Sequence, residues 1–205
     1  MSISPLAPAG TSLWKISIWV MAACWAAFFA TGLRRYIWVH RERRRIGAVE
    51  EPALRSRASL WGLLLETLAY GLIWGFRRPA PEQTAAVWIV CALVLAPLSC
   101  VFFSAALREL GRHFRIKAVV TADHALIMTG PYLVVRHPIY TSMLGLLVSN
   151  AVAVARWEAA VCALILYVIG TEIRVRSEDG LLAQRFPQQF AAYRKRVPAY
   201  LPFLR

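Results

Sequence analysis

Apolar residues arrive in five runs, the first three close to bilayer length and the first four closed by arginine, and that pattern confines the chain to a membrane. The runs are Trp14–Leu33, Ala58–Phe76, Thr84–Leu107, about Ile139 to Ala155, and on to about Thr171. Hydrophobic residues make up 59% of the 205, while the formal net charge is +13. A soluble domain rarely combines the two; a polytopic membrane protein does, because its spans dominate and its basic loops stay in the cytoplasm. The charge sits in short loops between spans, so it reads as topology and as affinity for the anionic inner leaflet, not as a nucleic-acid surface. The expected fold class is therefore an all-α polytopic membrane protein with five transmembrane helices.

The first run lacks the basic leader of a signal peptide and is followed by Arg34-Arg35 and Arg41–Arg45, so it reads as a retained span. Residues 1–12 are expected to be disordered at the surface. Pro97 is expected to kink the third span. Spans four and five are short for a bilayer of about 30 Å, and they are separated only by Arg156-Trp157-Glu158, a tight helical hairpin. The loop after span one, the segment 108–130 and the C-terminal tail hold most of the Arg and Lys. Five spans with those regions inside place the N-terminus outside and the C-terminus in the cytoplasm. The tail is amphipathic, with Leu182, Phe186, Phe190 and Tyr193 at helical spacing. Pro187 requires one helix to end near Phe186 and another to start there, and Val197-Pro198 and Leu201-Pro202 predict an extended, docked terminus.

Chemistry concentrates in two places. One is Gly130 to Tyr140, Gly-Pro-Tyr-Leu-Val-Val-Arg-His-Pro-Ile-Tyr; the other is Arg174, Glu178 and Asp179. Both leave the same predicted face, and a polar cluster at such a boundary is costly unless it binds something. Taken singly, each residue has a plainer reading. Arg174 and Glu178 fit an i,i+4 ion pair, as do Glu172 and Arg176, and His137 fits a capping histidine. Glu66, inside the second span, either pairs within the bundle or sits near an interface, and is not assigned to the site. Cys24, Cys91, Cys100 and Cys162 lie in apolar runs without metal-ligand or CxxC spacing, so they read as small buried hydrophobes, with no metal expected.

Taken together, Gly130, Tyr132, Arg136-His137-Pro138, Tyr140, then Arg174, Glu178-Asp179, Leu182, Phe186, Tyr193 and Val197-Pro198 resemble the isoprenylcysteine carboxyl methyltransferases and their bacterial relatives. The resemblance covers roughly residues 108–205, a methyltransferase core behind an N-terminal membrane region, 1–107. Spans one and two carry no signature. The resemblance implies an S-adenosylmethionine-dependent membrane methyltransferase with a cytoplasmic cofactor pocket. It implies that His124, Ala125, Leu126 and Ile127 contact the cofactor through backbone and apolar wall, and that Tyr132 lines the pocket. It implies that His137, Pro138, Ile139 and Tyr140 bind the methionine end, that Glu178 pairs with the ammonium or a hydroxyl, and that Arg174 reaches a substrate carboxylate. Lys117 falls where the family uses a glutamine. Departures are Asp179 for a second Glu, and Ser142 and Pro187 where glycine is common.

The residue chemistry agrees with that expectation. The cofactor offers an adenine face to apolar packing, a carboxylate to cations and an ammonium to a carboxylate. The expected acceptor is a lipophilic small molecule or lipid, arriving from the bilayer and carrying an anion. Alternatives are a phospholipid N-methyltransferase, a sterol-reductase-like NADPH enzyme and a non-catalytic scaffold.

Overall fold

The structure is a computed structural model that describes residues 9–45, 54–78, 86–114, 119–120 and 125–202. Six α-helices account for nearly all of it: α1 (Ala9–Arg45), α2 (Ala58–Gly75), α3 (Ala86–Leu110), α4 (Pro138–Val154), α5 (Trp157–Arg185) and α6 (Pro187–Arg196). Among the described residues the extended chain amounts to one antiparallel pair, Leu54–Arg55 with Val119–Val120, and a single antiparallel bridge between Arg77 and Ala155. Helix is what lipid permits, since every backbone polar group must be satisfied within the segment.

Three helical stretches are long and apolar enough to cross a membrane: Leu13–Arg45, Ala58–Gly75 and Ala86–His113. Helix α4 is apolar but shorter. Helix α5 is apolar only in its first half and runs on past Thr171 as a charged helix to Arg185, in keeping with the helix end expected near Phe186. Helix α1 likewise continues through Arg41–Arg45, where a loop was expected, and it starts at Ala9 within the stretch expected to be disordered; residues 1–8 lie outside the described residues. Helix α3 passes through Pro97 unbroken.

Each helix turns a narrow face inward. On α2 that face is Ser59, Gly62, Glu66, Ala69 and Ile73; on α5 it includes Ala163, Tyr167, Gly170, Thr171 and Arg174. The opposite faces carry exposed Trp61, Leu64, Leu68, Trp88, Val101, Val161, Ile165 and Ile169, an apolar girdle around the bundle. Cys24 is buried, but Cys91 and Cys162 belong to that girdle, which corrects the expectation of four buried cysteines. Lipid is as apolar as a core, so outward-facing cysteine carries no penalty.

Although α4 and α5 are sequence neighbours, α5 lies mainly along α2, and α4 along α3. The α2–α5 seam closes on two glycines. A Cβ at Gly170 would stand 2.7 Å from the Gly62 carbonyl oxygen and 3.0 Å from Leu65 Cβ. Small residues that let backbones meet are the usual means of packing helices in lipid. Hydrogen bonds cross the bundle as well. Tyr70 donates to the Met143 carbonyl at 2.6 Å, Tyr167 to the Tyr140 carbonyl at 2.7 Å, Ser149 to the Ala92 carbonyl at 3.1 Å, and Trp25 to Asn150 at 3.3 Å.

The loops sort to two ends. At one, the chain after α2 clamps the α4–α5 turn: Arg78 N donates to the Val154 carbonyl at 3.0 Å and Arg156 N to the Phe76 carbonyl at 3.1 Å. At the other, the Leu54–Val120 pairing joins the segments after α1 and α3, and Ser56 meets Ser177 of α5 at 3.1 Å. The three basic regions thus share one end of the bundle.

Candidate functional site

The Gly130–Tyr140 stretch is a 3-10 turn (Gly130–Leu133), a short link, and the start of α4. Gly130 has φ +57, a left-handed conformation that favours glycine, and a Cβ there would crowd the Glu109 carboxylate at 3.2 Å. That carboxylate accepts the Thr129 hydroxyl. Pro138 opens α4 at a position where the missing N–H costs nothing. His137 is the residue before the helix, yet its ring makes no cap. Ser142 returns its hydroxyl to the Pro138 carbonyl at 2.7 Å, and Pro187 opens α6, so both departures from the resemblance are accommodated locally.

The C-terminal chain locks the motif. Arg136 N donates to the Pro198 carbonyl and His137 N to the Ala199 carbonyl, each at 2.8 Å, and the Thr141 hydroxyl reaches the Tyr200 carbonyl at 2.6 Å. Tyr193 of α6 donates to the Tyr132 carbonyl at 2.6 Å, and Arg136 donates to the Val197 carbonyl. The docked terminus and the break at Phe186 are as the prolines require.

Against this frame α5 brings its acids. His137 Nε2 donates to Asp179 Oδ1 at 2.8 Å, and Nδ1 pairs with Glu178 Oε2 at 3.2 Å. Arg136 Nη2 donates to Asp179 Oδ2 at 3.0 Å. The Tyr140 hydroxyl donates to Glu178 Oε1 at 2.5 Å. Burial alone would lower the pKa of His137, but hydrogen bonds and charge from Asp179 and Glu178 outweigh it and raise the ring to about 9. For Glu178 and Asp179, burial favours the neutral acid and loses to the His137 hydrogen bond and charge, so both are held below the usual carboxylate range. All three are ionised at neutral pH. Burial, with the charge of Glu178 adding to it, pushes the Tyr132 phenol up.

One turn before Glu178, the Arg174 guanidinium lies 4.9 Å over the Tyr140 ring, and Nη1 donates to Glu66 Oε2 at 2.8 Å. Thr171 donates to Glu66 Oε1 at 3.0 Å. Arg174 thus pairs with Glu66 across the seam, a carboxylate on another helix from the i,i+4 acid that the sequence offered. Glu172 and Arg176 do form their i,i+4 pair, at 2.8 Å on the surface.

Of the residues singled out from sequence, His137, Tyr140, Arg174 and Glu178 come together. Pro138 is buried at the helix start. Ile139 turns away and packs with Val39, Phe103, Leu107 and Phe114. Tyr132 is buried in the turn, within reach of the Glu178 charge. Ala125 is exposed and Leu126 and Ile127 are half-buried in irregular chain leading to the turn; His124 and Lys117 lie outside the described residues. Sequence reasoning gave no role to Arg136 and left Glu66 open. For Glu66 the one available signal was an acid inside a span.

Residues 86–184 match the profile of the Isoprenylcysteine carboxyl methyltransferase family. The chain is also similar to the nickel-cobalt-cadmium resistance protein NccN of Alcaligenes xylosoxydans xylosoxydans, 30% identical over 151 residues, 73% of this chain and 66% of that protein. It is similar to the cobalt-zinc-cadmium resistance protein CzcN of Cupriavidus metallidurans, 28% identical over 159 residues, 77% of this chain and 68% of that one. The chain thus spans about two thirds of each relative's length. Through the helices that carry the Arg-His-Pro motif and its acids, residues 86–184, it belongs to the isoprenylcysteine carboxyl methyltransferase family.

Proposed function

We propose that this protein is an integral membrane S-adenosylmethionine-dependent methyltransferase acting on a lipophilic, anionic acceptor, a carboxylate. One observation carries the reading: Arg174 and Glu178, a cation and an acid one helical turn apart, both touch Tyr140 where the apolar half of α5 ends. This places charge of each sign beside one ring, at the edge of a bilayer-facing surface.

The residues fit the cofactor. The Glu178 side chain is 27% exposed, and each oxygen accepts one hydrogen bond, which leaves lone pairs for an ammonium. Leu126 and Ile127, half-buried, supply apolar wall for an adenine. His137 has both ring nitrogens on carboxylates, so its part is to fix Glu178, in place of the direct contact expected from sequence. When bound, S-adenosylmethionine supplies an electrophilic methyl group. A carboxylate acceptor needs no general base, so the chain has to align it and exclude water. Arg174 aligns it, and buried Tyr140 and Tyr132 help to close the site.

The proposal includes five crossings, with α4 and the first half of α5 as the fourth and fifth, the N-terminus outside, and the pocket and C-terminus in the cytoplasm. The exposed apolar side chains on α5 and the gathering of basic segments at one end support it. The division into a membrane region, 1–107, and a core, 108–205, stands as a proposal beside it. Metal resistance, in the names of both relatives, enters only as a setting for this methyl transfer, with no metal assigned to the site.

The test is titration of detergent-solubilised protein with S-adenosylhomocysteine and, separately, NADPH. S-adenosylhomocysteine at one hundred times its Kd is expected to add about 2.7 kcal/mol of stability, and NADPH none. A shift with NADPH alone would favour the reductase alternative; no shift with either would favour a scaffold. A phospholipid amine methylated in preference to a carboxylate would favour the phospholipid enzyme.

A further inference from the structure

Arg174 does not meet its acceptor with an undivided charge. Its guanidinium is held on one side by Glu66 at 2.8 Å and lies over the ring of Tyr140 at 4.9 Å. Glu66 is 1% exposed and is itself pinned by the Thr171 hydroxyl at 3.0 Å. The seam is shaped for this contact. A Cβ at Gly62 would stand 2.5 Å from Arg174 Cγ, so the bare glycine one turn before Glu66 lets the arginine stem through. Glu66 belongs to α2, outside the region 86–184 that defines the family match. An acid in an apolar helix is expensive, and the i,i+4 carboxylate of Glu178 was within sequence reach of Arg174. Glu178 is instead committed to Tyr140 and His137.

We propose that Glu66 is a specificity-determining residue, which orients Arg174 and competes with the acceptor's anion for its charge. The proposal rests on the methyltransferase reading. Among the described residues of the cluster, the acids Glu66, Glu178 and Asp179 face the bases Arg136, His137 and Arg174. An acceptor anion that reaches Arg174 therefore shares it with Glu66. Its pose is set by a guanidinium that cannot swing, while its affinity stays moderate. Removing the Glu66 charge should leave Arg174 with more attraction for the incoming carboxylate. A residue that merely stabilised the bundle would give the reverse, weaker binding of every ligand.

The experiment is calorimetric titration of the solubilised protein, saturated with S-adenosylhomocysteine, with N-acetyl-S-farnesylcysteine and with its uncharged methyl ester. Variants are E66Q, E66D, R174Q and E66Q/R174Q. E66D keeps the charge and shortens its reach, so it is informative even where E66Q folds poorly; the double variant leaves neither charge buried alone. E66Q is expected to bind the carboxylate at least about fivefold tighter, the size of coupling seen between directly paired residues. The ester should be unaffected, E66D should shift the same way by less, and E66Q should have no effect once Arg174 is gone. Unchanged or weaker carboxylate binding in E66Q and E66D overturns the proposal. So does an equal change for the ester, or an E66Q effect that persists without Arg174. If wild type does not bind S-adenosylhomocysteine, the methyltransferase reading fails instead. If it does, and the Glu66 variants take up no carboxylate, only the role of Glu66 falls.

Discussion

Glu178 and Asp179 are adjacent, yet they do different work. Asp179 is tied to Arg136 and to His137 Nε2, and so fastens α5 to the motif. Glu178 takes the other ring nitrogen and the Tyr140 hydroxyl and keeps a partly exposed edge. Replacing it as E178Q is expected to weaken S-adenosylhomocysteine binding about 10- to 100-fold, the size of a lost hydrogen bond to a charged group. R196A, at an exposed site on α6, should leave affinity unchanged; calorimetry on both variants checks this. His137 makes a second prediction. Its ring is raised from 6.5 to about 9 in the folded chain, so its stabilisation is fully present below pH 6.5 and lost as pH rises through about 9. The stability gap between wild type and H137Q should therefore narrow from pH 6.5 to 9.5, measured by thermal unfolding. The depressed carboxylates act at the other limit, and what they contribute is lost only as pH falls below their ordinary values near 4.

At the scale of elements, the α2–α5 seam is the contact on which the site depends. Gly62 and Gly170 bring the two backbones together at the level of Glu66, Thr171 and Arg174. A methyl at Gly170 has to displace the Gly62 carbonyl or the Leu65 side chain. G170A is expected to cost about 1–3 kcal/mol, as overpacking does. Gly71, on the same helix as Gly62, has open space around it, and G71A should be neutral or stabilising by up to about 1 kcal/mol, because alanine is the better helix former. Thermal unfolding in detergent compares the two. A G170A as stable as G71A would show that the seam tolerates separation.

For the whole molecule, the sorting of loops to two ends makes orientation a single choice. The basic segments after α1 and α3 share an end with the charged half of α5, while the α4–α5 turn is clamped by the chain after α2 at the other. With the positive end in the cytoplasm, a green fluorescent protein fused after Arg205 should fluoresce in cells. A dark C-terminal fusion, expressed at the same level, would reverse the proposed orientation.

The sequence alone determined the helices, because lipid leaves an apolar run no other way to satisfy its backbone, and it marked their breaks wherever proline removes a donor. The helix start at Pro138, the change of helix at Phe186 and the docked tail from Val197 were all legible for that reason. The Arg-His-Pro-x-Tyr motif and its acids were legible as a combination, since no single member outweighs its plainer reading. Partner choice was not legible. Arg174 had a carboxylate four residues away in sequence and took one 108 residues away, because Gly62 and Gly170 bring α2 within reach. Ile139, beside His137 in the motif, turned to the α1–α3 core because successive residues of a helix point in different directions. Helix periodicity fixes which face a residue shares; only packing decides what that face meets, and here it met a glycine seam and the one acid inside the second span.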